Sequence, residues 1–228
     1  MKAQRRMTLM AIAATAAALA IPAGTAWASD ADDAISTVDK ARVTFTDLVK
    51  GKEFDSLRAG LKTAKGVIIY PSVLKAGFIL GGSGGTGVLL VRGANNEWSE
   101  PAFYTMGSVS FGAQIGGSAA EVVVVINSQK AVDSLMTNSV KLGGDASVAA
   151  GPVGAGQAAN LMADFVSYSR SKGAFVGMSI DGSVLDVRAS LNSAYYGMAV
   201  TPIDILVKGA VSNKHSAALR SAVAAASK

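Results

Sequence analysis

The segment Gly82-Ser-Gly-Gly-Thr-Gly87 spells G-x-G-x-x-G, the pattern with which dinucleotide-binding proteins hold a pyrophosphate group. That chemistry requires a helix directly after the third glycine, because the pyrophosphate rests on the helix N-terminus. Residues 88–91 are instead Val-Leu-Leu-Val, which favours a strand, and no Gly-Lys-Ser/Thr follows as in a P-loop. We therefore expect no nucleotide here but a turn between two strands, where glycine permits positive φ and close approach.

Metal-binding and nucleophilic side chains are scarce in this sequence. The chain has no cysteine and one histidine, so a zinc site would need mainly carboxylate ligands. A Ser-His-Asp triad would have to use His215, which we expect to be solvated, and no G-x-S-x-G motif presents a serine. A glycosidase-type carboxylate pair stays open, although the acids are dispersed, among them Glu121, Asp145, Asp164, Asp181 and Asp186. The sequence thus predicts a non-enzymatic protein without catalytic residues, metal or cofactor.

The most suggestive charge pattern lies between residues 50 and 65. Five basic residues here accompany two acidic ones, a local net charge of +3: Lys50, Lys52, Arg58, Lys62 and Lys65, with Glu53 and Asp55. Apolar residues recur beside them at helical spacing, and such a basic amphipathic helix suits anionic lipid headgroups. We predict headgroup contacts for Arg58, Lys62 and Lys65, and shallow insertion for Phe54, Leu57 and Leu61. The alternative is an ordinary surface helix with solvated lysines.

The N-terminal residues have the pattern of an export signal. Three basic residues precede an apolar stretch over 7–21, and Ala26 and Ala28 then satisfy the A-x-A cleavage rule. We predict a signal peptide over 1–28, cut after Ala28, and a periplasmic protein; a membrane anchor is the alternative. Removing those three basic residues leaves 18 of 21 against 16 acidic residues, a net charge of +2 that does not indicate nucleic acid.

The periodicity of apolar residues predicts helices at both ends of the chain. At the N-terminal end they cover 29–50 and 53–64, and a further helix begins near Asn127 and reaches residue 138. Helices over 202–210 and 215–227 follow near the C-terminus. Between them, short runs rich in β-branched and aromatic residues are punctuated by glycine and predict strands.

Several strand runs are apolar at successive positions, which is typical of strands covered on both faces. Asp181-Gly182 is a strong hairpin signal, and its flanking residues repeat the pattern around the first glycine segment. We predict one α+β domain with a mainly antiparallel, glycine-rich sheet curled into a barrel or sandwich. It has a helical segment over 29–65, a β-rich core over 66–200 and C-terminal helices over 201–228.

Five ordered blocks resemble the SYLF domain, also described as the Ysc84-type actin-binding domain: AKGVIIYPSVLKAGFILGGSGGTGVLLVR, WSEPAFYTMGSVSFGAQIGG, LGGDASVAAGPVGAG, SYSRSKGAFVGMSIDGSVL and NSAYYG. The similarity runs from about residue 61 to residue 197. It implies phospholipid binding, with phosphoinositides as ligands of eukaryotic members and an actin-linked role for some. The eukaryotic lipid-binding element is an N-terminal amphipathic helix, which corresponds here to the helices before Gly66.

Two functions follow as expectations from the residues and the resemblance together. The first is an exported, non-enzymatic protein that associates with anionic phospholipid. The second is a periplasmic protein-interaction or envelope-structural module, which uses sheet edges and the small residues around 143–156. Neither involves a nucleotide or a nucleic acid.

Overall fold

Nine strands form one sheet in the computed structural model, which describes residues 23–77, 80–111, 116–137, 139–151, 163–171, 174–175 and 179–228. The strands are β1 (Gly66–Gly77), β2 (Leu80–Val91), β3 (Ala102–Phe111), β4 (Gly116–Ile126), β5 (Ser139–Lys141), β6 (Val148–Ala150), β7 (Phe165–Ser171), β8 (Ala174–Phe175) and β9 (Val184–Val187). Their order is β5-β9-β3-β2-β1-β4-β7-β6, with β8 paired to β7. Only β6 and β7 pair in parallel among these strands, and the sheet curls into a half-barrel.

Six α-helices in the described ranges accompany the sheet: α1 (Ala23–Lys50), α2 (Asp55–Thr63), α3 (Gln129–Leu135), α4 (Ala189–Tyr196), α5 (Pro202–Leu206) and α6 (Ala217–Ala226). The predicted α+β domain with helices at both ends is therefore confirmed. Helix α4 was not predicted. Its buried Asn192 accepts a hydrogen bond from the Phe103 amide at 2.8 Å, so β3 holds it in place through a contact that local pattern does not reveal.

Each face of the sheet has its own apolar core. On the first, which we call the helical face, side chains such as Val67, Ile69 and Val123 pack with residues of α1, α2, α4 and α6. On the opposite face, neighbours in sequence such as Ile68 and Val124 pack with residues of α3 and α5. Side chains alternate between faces along a strand, so cover on both sides explains the successive apolar residues.

The prediction of a turn over Gly82–Gly87 is wrong. These residues form the interior of β2 and all pair with β3, and residues 82–84 also pair with β1, as Gly84 does with Leu74. None of the four glycines in the segment has positive φ. The absence of a helix after Gly87, on which the argument against a nucleotide rested, is confirmed by the continuation of β2 to Val91.

The glycines of β2 are required by a bulge in the neighbouring strand. Strand β1 has one extra residue between Tyr70 and Val73 relative to both partners, and its backbone is displaced there. A Cβ atom at Gly85 would lie 2.4 Å from the Ser72 carbonyl oxygen, and one at Gly87 would lie 2.3 Å from that of Ile69. The close approach expected of the glycines is therefore confirmed at these two positions.

The turn predicted at Asp181-Gly182 is confirmed, but the predicted hairpin is not: β9 pairs with β3 and β5, and the preceding described strand, β8, pairs with β7. Gly182 has φ of 76°, in the left-handed region that favours glycine, and the Ser183 amide donates to the Ile180 carbonyl at 3.1 Å. The chain then enters β9, which pairs with β3. Sequence reasoning worked here because the turn depends on two adjacent residues.

A buried carboxylate connects α6 to the sheet. Glu100, with 8% of its side chain exposed, accepts from Arg220 Nη1 at 2.9 Å and from the Ser216 hydroxyl at 2.6 Å. Arg220 Nε also donates to the Trp98 carbonyl at 3.0 Å. The C-terminal helix is thus fixed by a charge pair as well as by Leu219 and Val223 in the apolar core.

Helix α1 begins at Ala23, six residues before the predicted start, so the predicted cleavage site after Ala28 lies within it. The predicted leader residues 1–22 lie outside the described part of the chain. Within the described residues, no helix combines the length and apolar character needed to cross a membrane.

Candidate functional site

The basic segment predicted to contact lipid joins α1 to β1. Its apolar residues Phe54, Leu57 and Leu61 share one face, as expected, but they are at most 1% exposed and belong to the core of the helical face. In this conformation the protein's own core occupies that apolar face. The insertion of these three residues into a bilayer stays a prediction. Lipid binding by the rest of the segment stays a prediction.

Arg58 has an internal role as well. Its Nη1 donates to the carbonyl oxygens of Val49 at 2.5 Å and Gly51 at 2.8 Å, while Nη2 pairs with the carboxylate of Asp55. The last carbonyls of a helix lack partners within it, and the helix dipole favours a cation there. Arg58 therefore closes the C-terminal end of α1, and its charge is compensated locally.

We expect Arg58→Met to lower the free energy of unfolding by about 1.5 kcal/mol, because two hydrogen bonds to carbonyls at the end of α1 are lost. Lys62→Met is the matched control on the same helix and should change it by less than about 0.5 kcal/mol, since Lys62 is exposed. Urea unfolding measures both. Equal small effects would show that Arg58 is not a structural residue.

The lysines of the segment remain available at the surface. All four are exposed, and none pairs with a carboxylate in the part of the chain that the structure describes: Lys50, Lys52, Lys62 and Lys65. Because Arg58 and Asp55 compensate each other, these lysines are opposed within the segment by Glu53 alone. The segment thus presents the cationic half of its predicted site and buries the apolar half.

Arg92 is a neighbouring cation that the sequence analysis missed. Its Nη2 donates to the Leu61 carbonyl at 2.5 Å, and its guanidinium lies 4.9 Å from the ring centre of Trp98. Partial burial lowers the pKa of Arg92. The Arg92 amide also donates to the Lys65 carbonyl at 2.8 Å, so β2 fixes the backbone beneath an exposed lysine. An arginine directly after an apolar strand was the available signal.

Several acidic residues of the described ranges are engaged in structural contacts. No group of three or more His, Asp or Glu side chains in the described ranges is arranged to hold a metal ion. Glu121 forms an ion pair with Arg170, and the distance from Arg170 Nη2 to Glu121 Oε2 is 2.6 Å. Hydrogen bonds from Ser128 and Ser147 lower the pKa of Asp164, so this carboxylate serves to join α3 to the β7 strand.

His215 is not the solvated residue that the sequence predicts. Its Nε2 lies 3.2 Å from Asp39 Oδ1, and its Nδ1 lies 3.2 Å from the hydroxyl of Tyr195. The order acid, imidazole, hydroxyl resembles a nucleophilic triad. However, burial raises the pKa of Tyr195 far above its ordinary value, which is the reverse of activation. The three residues therefore join α1 to the C-terminal segment.

The surface of small residues predicted around 143–156 is only partly described. Gly143 and Gly144 lie in an exposed turn after β5, and Gly143 has φ of 82°. Gly151 is buried against the ring of Tyr168, where a Cβ atom would lie 2.3 Å from Cε1. Residues 152–156 fall outside the described residues.

A family model named Ysc84, described as Las17-binding protein actin regulator, matches residues 107–226. An SH3 domain-containing protein of Schizosaccharomyces pombe is 40% identical over 148 residues, which are 62% of this chain and 34% of that protein. LAS seventeen-binding protein 3 of Saccharomyces cerevisiae is 38% identical over 144 residues, 60% of this chain and 31% of its own. SH3 domain-containing YSC84-like protein 1 of Mus musculus is 33% identical over 148 residues, which are 63% of this chain and 43% of that protein. The chain thus spans about a third of the length of the first two relatives.

Proposed function

Since this chain belongs to the Ysc84 family, whose domain is also called SYLF, we propose that it is a non-enzymatic protein that associates with anionic phospholipid surfaces. The observation that carries the proposal is the set of four exposed lysines on the segment between α1 and β1, none of which pairs with a carboxylate among the described residues. The proposed contact is electrostatic and peripheral, because the apolar residues of the same segment lie in the core.

The charge on the segment suits such a contact. A lysine near an anionic membrane surface contributes about 1 kcal/mol, and the attraction decays within a Debye length of roughly 8 Å at physiological salt. Several lysines on one segment add their contributions, and a backbone already fixed by the fold adds no ordering cost of its own, although each side chain loses rotamer freedom. Lys65 meets this condition best, because its amide donates to the Ile126 carbonyl at 2.7 Å and holds it to the sheet.

We further propose that the protein is exported and periplasmic. Cleavage after Ala28 would make Ser29 the first residue of the mature chain, followed by Asp30, Asp32 and Asp33. Serine at the N-cap and acids in the first turn stabilise a helix N-terminus. The shortened α1 would therefore have a favourable N-terminal sequence directly after the cleavage site. The mass of the protein recovered from the bacterial periplasm tests this; an uncleaved chain would contradict it.

We expect the purified protein to sediment with vesicles that contain phosphatidylglycerol or cardiolipin and to be released at high salt. Replacing Lys62 and Lys65 together with glutamine removes about 2 kcal/mol and should lower the partition coefficient roughly 30-fold. Sedimentation over a range of lipid concentrations measures this. Lys141→Gln/Lys214→Gln, the same charge change at two exposed lysines outside the segment, should have little effect.

Binding that is equal for anionic and zwitterionic vesicles would contradict the proposal, and so would failure to bind either. An equal loss in both double variants would show that net charge matters and the segment does not.

A second candidate is binding of a protein partner, which the names of the relatives favour. Three large apolar side chains in the C-terminal part are exposed, Met198 at 55%, Ile203 at 41% and Val207 at 65%. Ile203 lies on α5 and Val207 directly follows it, and both are exposed while Ile205 and Leu206 are buried. If a protein is the ligand, its capture should be insensitive to lipid and should weaken in Val207→Asp.

A further inference from the structure

Four polar side chains stand in one line across the opposite face of the sheet. Register places Lys75 of β1 directly between Ser83 of β2 and Ser118 of β4, and Ser83 in turn opposite Ser108 of β3. Directly opposed residues in antiparallel strands share a face, with Cβ atoms about 5 Å apart. The Ser83 and Ser108 hydroxyls are 2.7 Å apart, which confirms that these two side chains meet. We call Ser108, Ser83, Lys75 and Ser118 the lysine–serine row.

The row contains polar groups without partners in the described part of the chain. Lys75 is half-buried, yet neither its ammonium nor the Ser118 hydroxyl has a hydrogen bond or ion pair among the described residues. In the Ser83–Ser108 pair one hydroxyl donates to the other, and the second proton stays free for an acceptor. A partly buried cation flanked by hydroxyl donors is suited to an oxyanion.

The rows on either side define the room around these side chains. Toward the core, Val73, Met106 and Ala120 are buried and close the inner side. Toward the far end of the sheet, the next row contains Gly77 paired with both Gly81 and Gly116. These three glycines bring no side chains of their own against the row.

We propose that the lysine–serine row binds the phosphate group of a phosphate monoester. Lys75 supplies the point charge, and the hydroxyls of Ser83 and Ser118 donate from the two sides. The row is proposed as a binding site and not as a catalytic centre, because neither serine contacts an imidazole or a carboxylate in the described part of the chain. This goes beyond the function proposed above and does not rest on it, since the segment with the four lysines packs on the helical face.

The test is a titration of the purified protein with glycerol 3-phosphate, followed by amide NMR shifts and by calorimetry. Saturable shifts are expected at Lys75, Ser83 and Ser118. Lys75→Gln should weaken binding at least about tenfold and Ser118→Ala about threefold, since hydrogen bonds to charged groups are involved. Lys62→Gln/Lys65→Gln should leave it unchanged, whether or not that variant still binds vesicles.

Absence of saturable shifts up to about 10 mM ester would overturn the proposal. So would unchanged affinity in both Lys75→Gln and Ser118→Ala. Ser118 is exposed and hydrogen-bonds nothing within the described chain, so its variant reports on the site even if Lys75→Gln unfolds. Vesicles with and without phosphatidic acid separate the sources: sedimentation that depends on Lys75 assigns a lipid headgroup, and sedimentation independent of Lys75 assigns a soluble ester.

Discussion

The Gly87→Ala variant is expected to lose about 3 kcal/mol of unfolding free energy, the upper part of the range for overpacked cores. The new methyl group would lie 2.3 Å from the Ile69 carbonyl oxygen and 2.6 Å from Cδ1 of Tyr70. The first neighbour is backbone at the bulge of β1, and the second belongs to a fully buried ring. Neither can move without disturbing the central strands, which is why the effect should be large.

Gly82→Ala is the matched control within the same glycine run. Its methyl group would meet only the Ser108 carbonyl oxygen, at an ordinary 3.5 Å. Alanine also loses less conformational entropy than glycine when a strand forms. The free energy of unfolding should therefore stay within about 0.5 kcal/mol of the unchanged protein or rise. Urea unfolding of both variants decides the matter. Equal losses would mean that the run needs glycine for a reason other than the bulge.

The Arg220→Ala variant should lose about 3 kcal/mol, because it leaves the buried Glu100 carboxylate without its cation. We place the value at the lower end of the range for buried pairs because 37% of the Arg220 side chain is exposed. The loss of the hydrogen bond to Trp98 contributes to the same change. Thermal and urea unfolding measure it.

A double-mutant cycle with Glu100→Gln isolates the charge. The double variant should be more stable than Arg220→Ala alone, since an amide is easier to bury unpaired than a carboxylate. Lys208→Ala breaks the exposed pair with Asp204 and is the control, with an expected loss much smaller than that of Arg220→Ala. Full additivity in the cycle would contradict a charge-based role for Glu100.

Features that depend on neighbours in the sequence were predicted well. The periodicity of α2 and the start of α3 at Ser128, whose hydroxyl accepts from the Ala131 amide, are local properties. So is the turn at Gly182. The successive apolar residues of β1 and β4 also indicated cover on both faces, because only a doubly covered strand can bury every side chain.

Features that depend on register were not predicted. Gly82 to Gly87 has the composition of a turn, and the need for glycine there comes from a bulge in a different strand. The apolar face of α2 would have the same sequence pattern if it contacted a membrane or if it packed on the sheet. In this structure it packs on the sheet. The sequence gives no sign that Lys75 is special. Only the strand register shows that it lies between Ser83 and Ser118.

The bulge of β1 has a consequence for how this sequence can vary. The extra residue between Tyr70 and Val73 is absorbed locally, so a chain one residue shorter there keeps Lys75 opposite Ser118 and both cores intact. In such a chain the β1 backbone would also lie farther from β2 at this point. Positions 85 and 87 could then hold residues larger than glycine. Length at the bulge and side-chain size across from it should therefore change together: deletion of Ser72 should permit Gly87→Ala, and homologues without the extra residue should carry larger side chains on β2.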